Sequence, residues 1–214
     1  MDEERKQLLR RIVEAMARRQ LASINILGHC LKFVTELDAK VSVAGELDLS
    51  LRLFRQVHLL YRDLGWTDLE SAVRDRLEDV PYPASRLEFG VAYYVTGLAE
   101  EVAMRSYVTS SCPEFAAIAR SYVEAAQRRP EPRRFLAYCE DPEHRPQARQ
   151  FFDLWYRIAV GALGRKDSTA DARVVELGLR SKSAGQMVAE FDERLAPFLE
   201  ACGLDGRSSS ETAG

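Results

Sequence analysis

Apolar residues in the first part of the chain recur every three or four positions: Leu8, Leu9, Ile12, Val13, Met16, Leu21, Ile24, Leu27, Leu31 and Val34. That spacing puts them on one stripe of a long helix running to about Leu37. The stripe changes phase around Arg18-Arg19-Gln20, which predicts a bend or a wider buried face there. Val41 to Gly45 reads as a turn. A second helix is expected from Glu46, with Leu49, Leu53, Val57, Leu60 and Tyr61 inward and a stop at Gly65. Thr67-Asp68-Leu69-Glu70 has the form of a capping box opening a shorter helix, and Val80-Pro81-Tyr82-Pro83 breaks regular structure.

Ser85-Arg86-Leu87-Glu88 is a second capping box. It opens a third long helix through Val91, Tyr94, Val95 and Leu98 to about Tyr107. Ser110-Ser111-Cys112-Pro113 is a tight link with proline at the first helical position. The fourth core helix is expected from Pro113 to about Arg128, ended by Pro130 and Pro132. Further helices are predicted near 144–163, 169–181 and 184–202. No alternating strand pattern or internal repeat is visible. The expected class is all-α: one domain over 1–204, then a small, polar, disordered tail over 205–214.

Composition narrows the partners. The 214 residues are 46% apolar and 29% charged, with a net charge of -3. Such a balance gives no electrostatic footprint for nucleic acid or an anionic membrane, and neither is an expected partner. The charged start Met1-Asp2-Glu3-Glu4-Arg5 does not read as a secretory segment, and no apolar run is long enough to cross a bilayer. Cys30, Cys112, Cys139 and Cys202 form no Cys-x-x-Cys pair and read as reduced thiols of a cytoplasmic protein.

Three segments carry a family resemblance. The first is His58-Leu59-Leu60-Tyr61-Arg62 with Leu64-Gly65. The second is Tyr94-Val95-Thr96-Gly97 followed by Ser111-Cys112-Pro113. The third runs from Phe152-Asp153-Leu154-Trp155-Tyr156 and Gly161-Ala162-Leu163-Gly164, through Leu179-Arg180-Ser181-Lys182-Ser183-Ala184-Gly185-Gln186, to Ala196-Pro197 and Leu204. In order and spacing the chain resembles the di-iron oxygenase subunits of the phenylacetyl-CoA epoxidase family. The resemblance implies a ferritin-like four-helix bundle with additional C-terminal helices. Such bundles hold two metals with inward carboxylates and Glu-x-x-His pairs.

Carried over position by position, the family's ligands fall on Asn25, Leu53, Gln56, Thr96, Ala125 and Arg128. A one-turn shift of the second-helix anchor gives Ser50 and Leu53 instead of Leu53 and Gln56. Neither set contains a carboxylate or an imidazole, the donors an oxygen-activating iron site needs. The one stretch with an acid three residues before a histidine, Asp141-Pro-Glu-His144, has Pro142 inside it. The expectation is therefore a degenerate site with no metal and no cofactor.

Asn25, Gln56, Thr96 and Arg128 are expected to line the old pocket with hydrogen-bonding groups and one cation, suited to an anionic small-molecule substrate. Plainer readings stand beside this one. Arg128 lies where a cation caps a helix C-terminus, Asn25 and Gln56 are able to bond each other, and Thr96 to bond its own helix. His58 and His29 are weak candidates for a general base, and Glu100-Glu101 reads as a solvated face. The expected function is a metal-independent enzyme performing elimination, cyclisation or rearrangement, in keeping with secondary metabolism. The alternative is a non-catalytic structural subunit beside a di-iron oxygenase, as a homo- or hetero-oligomer with a related helical bundle.

Overall fold

The structure is a computed structural model that describes residues 2–74, 80–126, 132–166 and 168–205. Within them the fold is all-α, with nine α-helices and no strand among the described residues. The tail from 206 lies outside the described residues. Also among the described residues, no helix is long and apolar enough to cross a membrane.

Helix α1 spans Glu3–Cys30. Asp2 caps it by accepting from the Arg5 amide at 2.7 Å, and Glu3 and Glu4 sit at the favourable positive end of the helix dipole. The helix is continuous through Arg18-Arg19-Gln20, and Gln20 is buried there. Of the two sequence expectations, the wider buried face is the one realised.

Helix α2 spans Leu37–Asp63, so the expected turn at Val41–Gly45 is helical and the expected start at Glu46 is nine residues late. A single glycine inside a helix costs only about 1 kcal/mol. Val43 and Leu47 offset that cost by packing on a second apolar cluster made of Leu27, Cys30, Val34 and Phe89. Gly65 ends the helix at φ 78, a left-handed conformation that side chains with a Cβ disfavour. The amides of Gly65 and Trp66 bond the carbonyls of Arg62 and Tyr61, forming a Schellman motif.

Helix α3 spans Leu69–Arg74 and is opened by Asp68, whose carboxylate accepts from the Ser71 amide. Helix α4 spans Arg86–Tyr107 and α5 Pro113–Ala126. A short α6, Arg133–Cys139, was not evident from the sequence pattern. Then come α7, Arg145–Leu163, α8, Thr169–Glu176, and α9, Ala184–Ala201. A true capping box opens α9, with Ser183 and Gln186 bonding each other's backbone amides.

Helix α1 packs along α2, and α2 also meets α5. Helix α4 occupies the middle, against α5, α6, α7 and α9. It is buried on nearly all sides, which fits its even spread of apolar residues. Pairing of α1 with α2 and of α4 with α5 is compatible with a ferritin-like bundle.

Ser85 caps α4 as expected, accepting from the Glu88 amide at 3.1 Å. Glu88 does not return a bond to Ser85. Its buried carboxylate accepts from the Ala84 amide at 2.8 Å and the Trp155 indole N–H at 3.2 Å, tying α4 to α7. Glu88→Ala should lower the unfolding free energy by on the order of 2 kcal/mol, because the indole donor loses its acceptor in an enclosed place. Urea denaturation followed by circular dichroism measures this, and Glu88→Gln, which keeps one acceptor oxygen, should cost less.

Candidate functional site

Along α4 the polar residues are placed by the helix's burial. Glu100 and Glu101 are 8% and 7% exposed, so the expected solvated face is an interior one. The reason is that α1 and α9 each bring a partner to them. Glu100 accepts from Gln20 Nε2 of α1 at 2.5 Å, and Glu101 accepts from Arg194 Nη2 of α9 and Arg105 Nε at 2.8 and 2.9 Å. Burial alone raises the pKa of Glu101; the hydrogen bonds and charges of Arg194 and Arg105 together outweigh it and hold the carboxyl below its ordinary value.

A cavity of about 490 Å³ lies between α1, α4 and α7. Helix α1 contributes Arg18, Arg19, Ala22, Ser23 and Ile26, and α4 contributes Thr96, Ala99, Glu100 and Ala103. The α7 wall is Trp155, Ile158, Ala159, Gly161, Ala162 and Leu163, and Val80 completes the lining. The space exists because alanines and a glycine stand where larger side chains would fill the gap between α1 and the α4–α7 pair. Its size and largely apolar walls are those of a small-molecule site.

Arg19 is the anomaly in this wall. Its side chain is 15% exposed, and its Nε and Nη2 are buried with no hydrogen-bond partner among the described residues. The nearest carboxylate oxygen, Glu100 Oε1, is 3.9 Å from Nε, beyond hydrogen-bond reach, and is already engaged by Gln20. Arg86, Arg180 and Arg194 each leave one buried nitrogen without a hydrogen bond as well; Arg180 and Arg194 are anchored by carboxylates, Asp171 and Glu101 respectively. An unpaired buried donor costs free energy, more so when charged.

The residues expected to form the site are not brought together. Asn25 and Gln56 are exposed, and so is His58, whose ring lies 6.3 Å from that of Phe54. The cause is helix phase: Leu27 on α1 and Leu53 and Val57 on α2 take the inward positions instead. His29 is half-buried against Tyr82, ring centroids 4.8 Å apart, away from the cavity lining. Among the described residues of the set, Thr96 alone lines the cavity, and its hydroxyl donates to Ala92 O at 2.7 Å on its own helix. Arg128 lies outside the described residues. With the one-turn shift, Ser50 and Leu53 are both buried and equally unable to bind iron.

Arg19, Glu100 and Gln20 were missed as a group. The phase change at Arg18-Arg19-Gln20 was the signal that pointed to them.

Among the described residues, no three His, Cys, Asp or Glu side chains stand close enough to hold a metal ion. By their chemistry, the amide, hydroxyl and aliphatic groups at the described carried-over positions are not the donors a di-iron centre needs. All four cysteines are free and buried, and burial pushes their thiols up, Cys30 to about 11, so none is poised as a thiolate nucleophile. Comparison with protein-family models and with curated proteins finds no match for the chain.

Two predictions follow from this geometry. Arg19→Met removes the cation 3.9 Å from buried Glu100 and leaves that carboxylate with neutral Gln20 alone, and should lower the unfolding free energy in urea by on the order of 3 kcal/mol. Glu101 supplies stability that is fully present above its ordinary pKa of 4.5 and lost as pH falls through its lower folded value. Glu101→Gln should therefore flatten the fall of the urea midpoint as the pH drops below 4.5.

Proposed function

We propose that the chain is a metal-independent enzyme that holds a small anionic molecule in the α1–α4–α7 cavity. Its chemistry would be elimination, cyclisation or rearrangement. These reactions need placed acid and base groups and a stabilised leaving group, and no redox metal. One observation carries the reading: two guanidinium side chains, Arg18 and Arg19, stand in one wall of a cavity of about 490 Å³ whose lining is mostly apolar. A guanidinium held that way is a preorganised partner for a carboxylate, sulfate or phosphate group. Glu100 supplies a carboxylate at the same wall for proton transfer. The four free thiols accord with a reducing cytoplasm.

Descent from the phenylacetyl-CoA epoxidase family and a ferritin-like bundle belong to this proposal. The order of the long helices supports both. In this reading the site has moved from the middle of the four core helices to the α7 side. Apolar residues such as Leu53, Val57, Val95 and Tyr122 occupy buried positions on the four core helices.

That same apolar filling favours a second reading, a non-catalytic structural subunit that pairs with a related bundle. Leu37 and Val41, 75% and 63% exposed one turn apart on α2, would then belong to the contact.

Thermal unfolding with a panel of aliphatic carboxylates, sulfate and phosphate ester separates the two. On the enzyme reading at least one compound raises the Tm of the native protein, by the equivalent of about 2.7 kcal/mol at a hundredfold excess over Kd, and does not do so for Arg19→Met. If no compound separates the two proteins and light scattering shows a concentration-dependent dimer that Val41→Glu abolishes, the subunit reading stands. Metal analysis after incubation with ferrous iron should find far less than one iron per chain.

A further inference from the structure

We infer that two copies of this chain pair through the outer face of α2, antiparallel, about a two-fold axis level with Ser50. Three of the four large apolar side chains exposed among the described residues, Leu37, Val41 and Leu59, lie on this helix. Its outward seam is Asp38, Val41, Gly45, Asp48, Arg52, Arg55, Leu59 and Arg62, all exposed. These residues alternate three and four positions apart, the spacing that keeps one face of a helix against a second helix along its length. At a rise of ~1.5 Å per residue the seam is about 36 Å long. The pairing does not depend on what the cavity holds.

The seam is complementary to itself only when one copy is reversed. Its N-terminal half carries the acids Asp38 and Asp48, and its C-terminal half the cations Arg52, Arg55 and Arg62. Turned about Ser50, Asp38 meets Arg62 of the second copy, Val41 meets Leu59, and Asp48 meets Arg52. Each acid faces a guanidinium and each aliphatic group another, as a two-fold contact of one surface with itself requires. A parallel pair sets Asp48 on Asp48 and Arg52 on Arg52, which repel. Within one chain Asp48 lies 3.1 Å from Arg52, and Arg62 3.7 Å from Asp63, on side chains more than half exposed. Such open pairs are worth little alone and have room for a second partner. Gly45 is a separate observation. A β-carbon at that position would have no atom within 4 Å, so packing inside the chain does not call for a glycine that weakens the helix. In the antiparallel pair Gly45 lies opposite Arg55 of the second copy, and the bare backbone leaves space for the arginine stem.

Sedimentation equilibrium of the full chain over a range of concentrations should find a monomer–dimer equilibrium that weakens as salt is raised. Asp48→Arg and Arg52→Asp should each weaken the dimer about tenfold or more, and the double variant should restore it. Gly45→Met should unfold no earlier than the native protein and yet dissociate more readily. Cross-linking with diamide reads the orientation, since the four native cysteines are buried. A mixture of Val41→Cys and Leu59→Cys chains should link, and neither variant should link to itself. A monomer at every concentration overturns the pairing, and so does a dimer indifferent to Asp48→Arg. Val41→Cys linking to itself overturns the antiparallel arrangement. Circular dichroism of each variant confirms that a lost dimer is not a lost fold.

Discussion

The central constraint in this structure is that α4 is surrounded. A helix in the middle of a bundle has no solvated side on which to leave its charges, and an ionised group in such a place is costly unless something answers it. Helix α4 carries Glu88, Glu100 and Glu101 into that position. Each is answered from a different helix: Glu88 by Trp155 of α7, Glu100 by Gln20 of α1, Glu101 by Arg194 of α9. The buried carboxylates thereby fix how three helices register against the fourth. Apolar packing alone tolerates sliding by a turn more readily than a set of mutually dependent hydrogen bonds does.

Against that background Arg19 is answered by charge alone, 3.9 Å from Glu100 with no hydrogen bond to it. Three carboxylates on α4 have hydrogen-bond partners, and a cation one residue from Gln20 does not. Gln20 holds Glu100 Oε1 at 2.5 Å, and that oxygen stays 3.9 Å from Arg19 Nε.

Much of the fold was legible in the sequence. The bounds of α4 and of the start of α5 follow from Ser85 and Pro113, since a cap and a first-turn proline act on the backbone within one turn and depend little on tertiary context. The start of α2 was not legible. Val41 and Gly45 look like part of a turn because they point outward, and what makes this stretch helical is Val43 and Leu47 meeting Leu27 and Phe89, residues remote in the chain. Burial of Glu100-Glu101 was hidden for a similar reason. Two adjacent acids read as solvent-facing by type, and only the placement of α4 between α1 and α9 turns them inward.

The site was harder still, and α1 shows why. Transferring positions from a resemblance assumes that the inward face of a helix stays at one angle along its length. On α1 the buried residues run Leu9, Val13, Met16, Ala17 and Gln20, then resume only at Leu27 and Cys30. Between them α1 faces the cavity with Ala22, Ser23 and Ile26 while Asn25 turns to solvent. The face therefore divides just where the polar triplet interrupts the stripe: one half belongs to the core shared with α2, the other to the space bounded by α4 and α7. A polar interruption in an apolar stripe marks a change of neighbour more than a break in the helix. In this chain the residues that make the interruption, Arg19 and Gln20, are the ones that shape the chemistry of the cavity wall.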